Sequence, residues 1–140
     1  MIGRHVLVLS MPMFALTAAA QAQPTPPGAA PQSWPGISRT GLLRDDLSAA
    51  GHEVIQVRVD FQPGTAASRH RHPGEELVYV LSGSLEYRLD GRPPVTLEAG
   101  DVLFIPDGVV HAVRNVGRAG ASELATYVVR KNEPLLVPAE

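Results

Sequence analysis

Gly64-Thr-Ala-Ala-Ser-Arg-His-Arg-His-Pro-Gly-Glu-Glu-Leu-Val-Tyr-Val-Leu-Ser-Gly83 is the stretch from which the rest of the chain can be read. Two histidines, His70 and His72, stand one residue apart, and the carboxylate Glu76 follows them. Side chains two positions apart in an extended segment share a face, so the two imidazoles are expected to project together. By the same parity Arg69 and Arg71 point the other way and are read as solvated. Glu76 opens the run Glu-Leu-Val-Tyr-Val-Leu, a strand that is apolar on both faces beyond its first residue. Val78 and Val80 share the Glu76 side. Leu77, Tyr79 and Leu81 form the opposite face, which needs cover from another strand or another subunit. Imidazole together with carboxylate suits first-row divalent metals. Glu75 adjoins Glu76 and offers a second carboxylate if the loop shifts.

Outward from this stretch the pattern is one of short strands. Ile55, Val57, Val59 and Phe61 alternate with Gln56, Arg58 and Asp60 until Pro63-Gly64 ends the run. A period of two with β-branched residues argues for a half-buried strand. After Ser82-Gly83, Leu85, Tyr87 and Leu89 alternate with Glu86 and Arg88, and Asp90-Gly91 is a hairpin signal. Val95 to Leu97, Val102 to Ile105, His111 to Val116 and Leu124 to Val129 follow, separated by Gly100-Asp101, Pro106-Asp107-Gly108 and the polar Gly117 to Ser122. Gly41 to Asp46 fits either a first strand or a helical turn. Strands at such spacing without a helical stripe predict an all-β sandwich or barrel. Val78 and Val80, with Phe104 or Val113, would then line its interior.

The N-terminus reads differently. Arg4 and His5 precede an apolar run from Val6 to Ala20, and Ala20-Gln21-Ala22 offers a cleavage site, the pattern of a secretory signal peptide over residues 1–22. The run is too short for a membrane span and carries Pro12, so a periplasmic or secreted protein is expected, with no membrane association after cleavage. Residues 23–40 are rich in Pro, Ala and Gly and read as a linker, with Trp34 either docked on the domain or exposed. Residues 41–131 are expected to form one domain, and 132–140 a tail. Twelve Lys and Arg stand against fourteen Asp and Glu, which leaves no basic footprint for nucleic acid. The chain contains no cysteine, so disulfides, thiol nucleophiles, thiolate metal sites and iron–sulfur clusters are excluded.

A third histidine lies in Gly-Asp-Val-Leu-Phe-Ile-Pro-Asp-Gly-Val-Val-His-Ala-Val-Arg-Asn, residues 100–115. His111 follows a Pro-x-Gly turn and is expected to open a strand that pairs across the barrel with the one carrying His70 and His72. At this point the chain resembles the cupin superfamily, whose small jelly-roll barrels are built on two motifs. The first is met by Gly64, His70, His72, Glu76 and Gly83, the second by Gly100, Pro106, Gly108, His111 and Asn115, each at the family's spacing. The resemblance implies a single jelly-roll β-barrel. It also implies one divalent transition metal (iron, manganese, nickel, copper or zinc) held by His70, His72, Glu76 and His111. The motif glycines and Asn115 are read as structural, and His5 and His52 are given no role.

What the resemblance implies about activity is broader. Similar ligand sets occur in dioxygenases of the quercetinase-like group, in oxalate-degrading enzymes, in isomerases and in small-molecule-binding modules. The expectation is an exported metal-binding cupin. It is either a dioxygenase-like oxidoreductase acting on a small chelating organic substrate or a non-enzymatic binder of a small ligand. A homodimer is a further expectation, since a small barrel leaves sheet edges open.

Overall fold

The computed structural model describes residues 33–140, so the expected signal peptide and most of the expected linker lie outside the described residues. The described chain is all β: β1 (Ile37–Asp46), β2 (His52–Phe61), β3 (Ala66–Arg71), β4 (Gly74–Ser82), β5 (Ser84–Leu89), β6 (Val95–Glu98), β7 (Val102–Ile105), β8 (His111–Asn115), β9 (Ala121–Arg130) and β10 (Val137–Pro138). The segment around Gly41 is a strand rather than a helical turn. It begins at Ile37 and ladders along β2 from Ile37 opposite Phe61 to Asp46 opposite Glu53. A helical turn there would have left the outer backbone edge of β2 unpaired.

Two five-stranded antiparallel sheets face one another, ordered β1-β2-β9-β4-β7 and β10-β3-β8-β5-β6. Each sheet draws alternately on both halves of the chain, the winding of a jelly roll. β9 is the spine of the first sheet, paired along its length with β2 and also with β4. The inner faces supply the core. Val57, Val59 and Phe61 come from β2, Val78 and Val80 from β4, Leu85, Tyr87 and Leu89 from β5, and Ala125, Tyr127 and Val129 from β9, all buried. The alternation read from the sequence therefore holds on β2, β4 and β5.

Of the two residues offered to complete the lining, Phe104 or Val113, Phe104 lies outside at 53% exposed, while its neighbour Ile105 is 1% exposed. The register explains the exchange: β4 and β7 pair Glu76 with Ile105 and Leu77 with Phe104. Directly paired residues share a face, so Phe104 joins Leu77 outside. Val113 does lie inside, as expected.

Two motif residues show why the turns need their particular chemistry. Gly83 has a φ of +79°, and a Cβ there would lie 2.7 Å from the Ala121 Cα, so only glycine fits between β4 and β5. Asn115 is buried and donates through Nδ2 to Ala119 O at 2.8 Å, Gln62 O at 3.2 Å and Phe61 O at 3.3 Å, while its Oδ1 accepts from Gly117 N at 2.9 Å. It ties the end of β2 to the loop leaving β8, a structural role.

Candidate metal centre

β3 and β8 are neighbours in one sheet, with His70 directly opposite His111. The two histidine segments are thus laddered side by side and do not face each other across the barrel. A register irregularity between Ala67 and His70 lets both residues point inward although an odd number of positions separates them. His72 lies in the short connection between β3 and β4, where Gly108 N donates to its carbonyl at 3.3 Å. Glu76 projects inward from β4. Glu75 is only half-buried, so the carboxylate inside the barrel is Glu76.

The four side chains converge. His70, His72, Glu76 and His111 are between 1% and 4% exposed. Ligand atoms of the three histidines lie within 4.8 Å of one another, an arrangement that can hold a metal ion. Glu76 Oε2 stands 3.1 Å from His72 Nε2 and 3.2 Å from His111 Nε2. Arg69 and Arg71 are exposed, as parity required, and Arg69 forms a forked ion pair with Asp90.

Each imidazole is oriented by its far nitrogen. His70 Nδ1 donates to Ser68 O at 2.7 Å, His72 Nδ1 to Leu135 O at 2.7 Å, and His111 Nδ1 to Val109 O at 3.0 Å. A carbonyl can only accept, so the proton of a neutral ring sits on Nδ1 and leaves a lone pair on Nε2. Leu135 belongs to the segment read as a tail. That segment also adds β10 to the edge of β3, with Val137 opposite Arg71 and Pro138 opposite His70.

The centre therefore gathers acceptors. His72 Nε2 and Glu76 Oε2 are fully buried and have no hydrogen-bond partner, despite their short separation. Two buried acceptors in contact repel unless a positive charge lies between them, and leaving them unpaired is costly. A metal ion answers that demand for all four residues at once. The electrostatics favour this at His70, which burial, reinforced by the neighbouring His111, lowers to about 3, so it is neutral and free to ligate. Burial opposes charge on His111 and on Glu76, but contact with His111 and His72 lowers Glu76, and contact with Glu76 raises His111. A metal would therefore have to displace a proton that His111 otherwise favours.

Beside the centre lies a second buried polar group that the sequence reading did not single out. Tyr87 OH donates to Glu123 Oε2 at 2.5 Å, and both are almost fully buried. Burial, reinforced by the charge of Glu76, raises Glu123 to about 8, so its carboxyl is protonated at neutral pH. Tyr127 lies against His72, with ring centroids 4.7 Å apart, and its hydroxyl accepts from Arg39 Nη2 at 3.1 Å. The available signal was a glutamate in phase with Ala125 and Tyr127 on β9, an acid aimed into the core. Trp34 is docked: its Nε1 donates to Ser68 Oγ at 2.7 Å, and its ring lies 5.1 Å from that of His70.

Comparison with known proteins places this geometry. Residues 57–128 match the family model described as Cupin domain. Over 49 residues the chain is 43% identical to the dimethylsulfoniopropionate lyase DddQ of Ruegeria pomeroyi, covering 35% of this chain and 24% of that protein. The crystal structure of DddQ superposes with a TM-score of 0.56 at 29% identity, over 61% of this chain and 43% of the other. Germin-like protein subfamily 2 member 2 of Arabidopsis thaliana is 36% identical over 110 residues, covering 66% of this chain and 50% of that protein. The oxalate-binding protein of Thermotoga maritima is 33% identical over 73 residues, 51% of this chain and 60% of its own length. The chain thus spans between about a quarter and three fifths of the curated relatives it matches.

Proposed function

Since the chain belongs to the cupin family, we propose that His70, His72, Glu76 and His111 hold one divalent transition metal at which a small chelating organic molecule binds. One observation carries this reading: His72 Nε2 and Glu76 Oε2 are buried acceptors in contact, with no hydrogen bond to either. Three imidazoles and a carboxylate suit iron, manganese, nickel, copper or zinc, and they leave positions open on a five- or six-coordinate ion. A metal there would supply Lewis-acid or one-electron chemistry to its ligand. The chain's own residues do the rest. The Ser68, Leu135 and Val109 carbonyls fix the imidazole orientation, Tyr127 and Trp34 wall off water, and Glu123 with Tyr87 holds a proton beside the centre.

In its catalytic form the reading is an exported, dioxygenase-like oxidoreductase. The signal-peptide pattern of residues 1–22 supports export, and the ligand set supports metal-dependent chemistry. The alternative is a binder without turnover. It draws support from a relative named as an oxalate-binding protein. A homodimer belongs to both readings, since Leu77, Tyr79, Val102 and Phe104 form an exposed apolar patch on two paired strands.

The test is elemental analysis of protein purified without chelators, followed by oxygen uptake with flavonols, catechols and diketones. About one transition metal per chain is expected. Absence of metal after supplementation sinks the site. Metal-dependent oxygen consumption favours the enzyme, and ligand-induced melting shifts without turnover favour the binder.

A further inference from the structure

Among the described residues most basic side chains are paired with carboxylates: Arg44 with Glu53, Arg58 with Asp60, Arg69 with Asp90, Arg88 and Arg114 with Glu86, Arg130 with Asp107, and Lys131 with Asp46. Arg71, Arg92 and Arg118 form no such pair, but they stand in solvent, where none is required. Arg39 is different. It is half-buried, forms no ion pair, and spends its guanidinium on a neutral partner, the Tyr127 hydroxyl at 3.1 Å, with its Cζ 5.7 Å from the centre of the Tyr127 ring. It also lines the same small cavity as His70, Glu76 and His111. A half-buried guanidinium with most of its donors uncommitted favours an anion with a forked pair of acceptors.

The charge of the cavity points the same way. The histidines turn lone pairs inward, and two carboxyls line the cavity, Glu76 and Glu123, the latter hydrogen-bonded by Tyr87. Even with both ionised, a divalent ion together with Arg39 would exceed them in a water-poor space. An anionic ligand would balance that excess.

We propose that Arg39 is the anion-recognising residue of this site, pairing with a carboxylate of a small organic acid whose other oxygen donors reach the metal held by the three histidines and Glu76. The inference rests on the metal reading above and adds to it the class of ligand. Entry requires the outer wall to yield, because the free space of about 10 Å³ admits one water and not a carboxylate. That wall is the start of β1 and the residues leading into it. β1 is an edge strand with β2 as its single neighbour, and Trp34 is held over His70 by one side-chain hydrogen bond to Ser68. Displacing Trp34 and Ile37 would open the cavity without breaking the β9 spine.

The experiment titrates Co2+-loaded protein with malonate and glycolate, and with malonamide and ethylene glycol as uncharged counterparts. Cobalt absorption and calorimetry are the readouts, and metal content is measured on every preparation. Wild type should bind the acids and not the neutral analogues. Arg39→Gln should keep its cobalt and lose about tenfold or more in affinity for malonate. A smaller loss, neutral analogues binding as well as the acids, or no binding of the acids by wild type overturns the proposal. Should Arg39→Gln fail to fold, Arg39→Lys decides: its ammonium keeps the charge but loses the fork, and a loss of less than about threefold overturns the proposal. A wild type that takes up no cobalt sinks the metal reading alone. The same Arg39 dependence is then required of the metal-free protein by calorimetry, and its absence overturns the proposal.

Discussion

At the scale of single residues, the barrel interior is organised by protons and their absence. His70, His72 and His111 each commit Nδ1 to a backbone carbonyl and turn a lone pair inward. His111→Ala or His70→Ala should therefore cut metal affinity by more than the roughly 10–100-fold loss typical of residues that merely support a ligand. Metal content after equilibrium dialysis checks this, and unchanged content in both variants removes these residues from the metal. Glu123 makes a pH prediction with a definite sign. Its carboxyl is raised to about 8 when folded, chiefly by burial, so between about 4.5 and 8 the folded chain holds a proton that the unfolded chain releases. Its contribution is complete below that window and is lost as pH rises through it, by up to about 1.4 kcal/mol per pH unit. Glu123→Gln stays neutral throughout and can still accept from Tyr87. Its melting temperature should gain on wild type as the pH is raised from 5 to 8. A constant difference across that range would mean that the wild-type carboxyl does not hold this proton.

At the scale of elements, the strands are ordinary and the joints between them are demanding. β4 reverses into β5 through Gly83, whose left-handed backbone and contact with Ala121 leave no room for a side chain. Gly83→Ala should destabilise the fold by about 1–3 kcal/mol, the usual cost of such strain, with the contact adding to it. Chemical denaturation measures this, and a loss under half a kcal/mol, within the range of ordinary surface substitutions, would mean that the turn relaxes freely. β10 shows the same dependence on a joint. Two residues of pairing with β3 and the Leu135 carbonyl bring the C-terminal segment onto His72. Chain ends beyond the motif region therefore help orient a ligand inside it.

At the scale of the whole molecule, binding and folding are linked. A metal held by β3, β4, β8 and the β3–β4 connection clamps both sheets, so removing it should lower the melting temperature by an amount that grows with the metal concentration of the reference sample. At a hundredfold excess over the dissociation constant the stabilisation is about 2.7 kcal/mol. Melting with and without chelator measures it, and coincident curves would separate the site from stability. The outer apolar patch bears on assembly. If a second copy covers it, Leu77→Glu should shift the protein to monomer in light scattering without loss of metal, because Leu77 lies on the face opposite Glu76. A wild type that is already monomeric removes that interface.

Much of this was legible in the sequence. Period-two alternation needs only local geometry, so the inward faces of β2, β4 and β5 could be read directly. Histidine spacing within an extended segment and turn glycines are local in the same way. Local pattern stops at pairing. Phe104 and Ile105 are both apolar, and the register with β4 alone decides that Ile105 faces the core and Phe104 the solvent. The same limit hid the neighbours of the centre. Arg39, Tyr87, Glu123 and Tyr127 come from three strands far apart in the chain, and it takes the rolled sheets to set them around one cavity. The sequence by itself determined an all-β chain carrying His70, His72, Glu76 and His111 as a set. The tertiary structure decided that their lone pairs converge, which carbonyls aim them, and that an unpaired arginine faces the space beside them. Convergence is a property of long-range pairing, and no local periodicity encodes it.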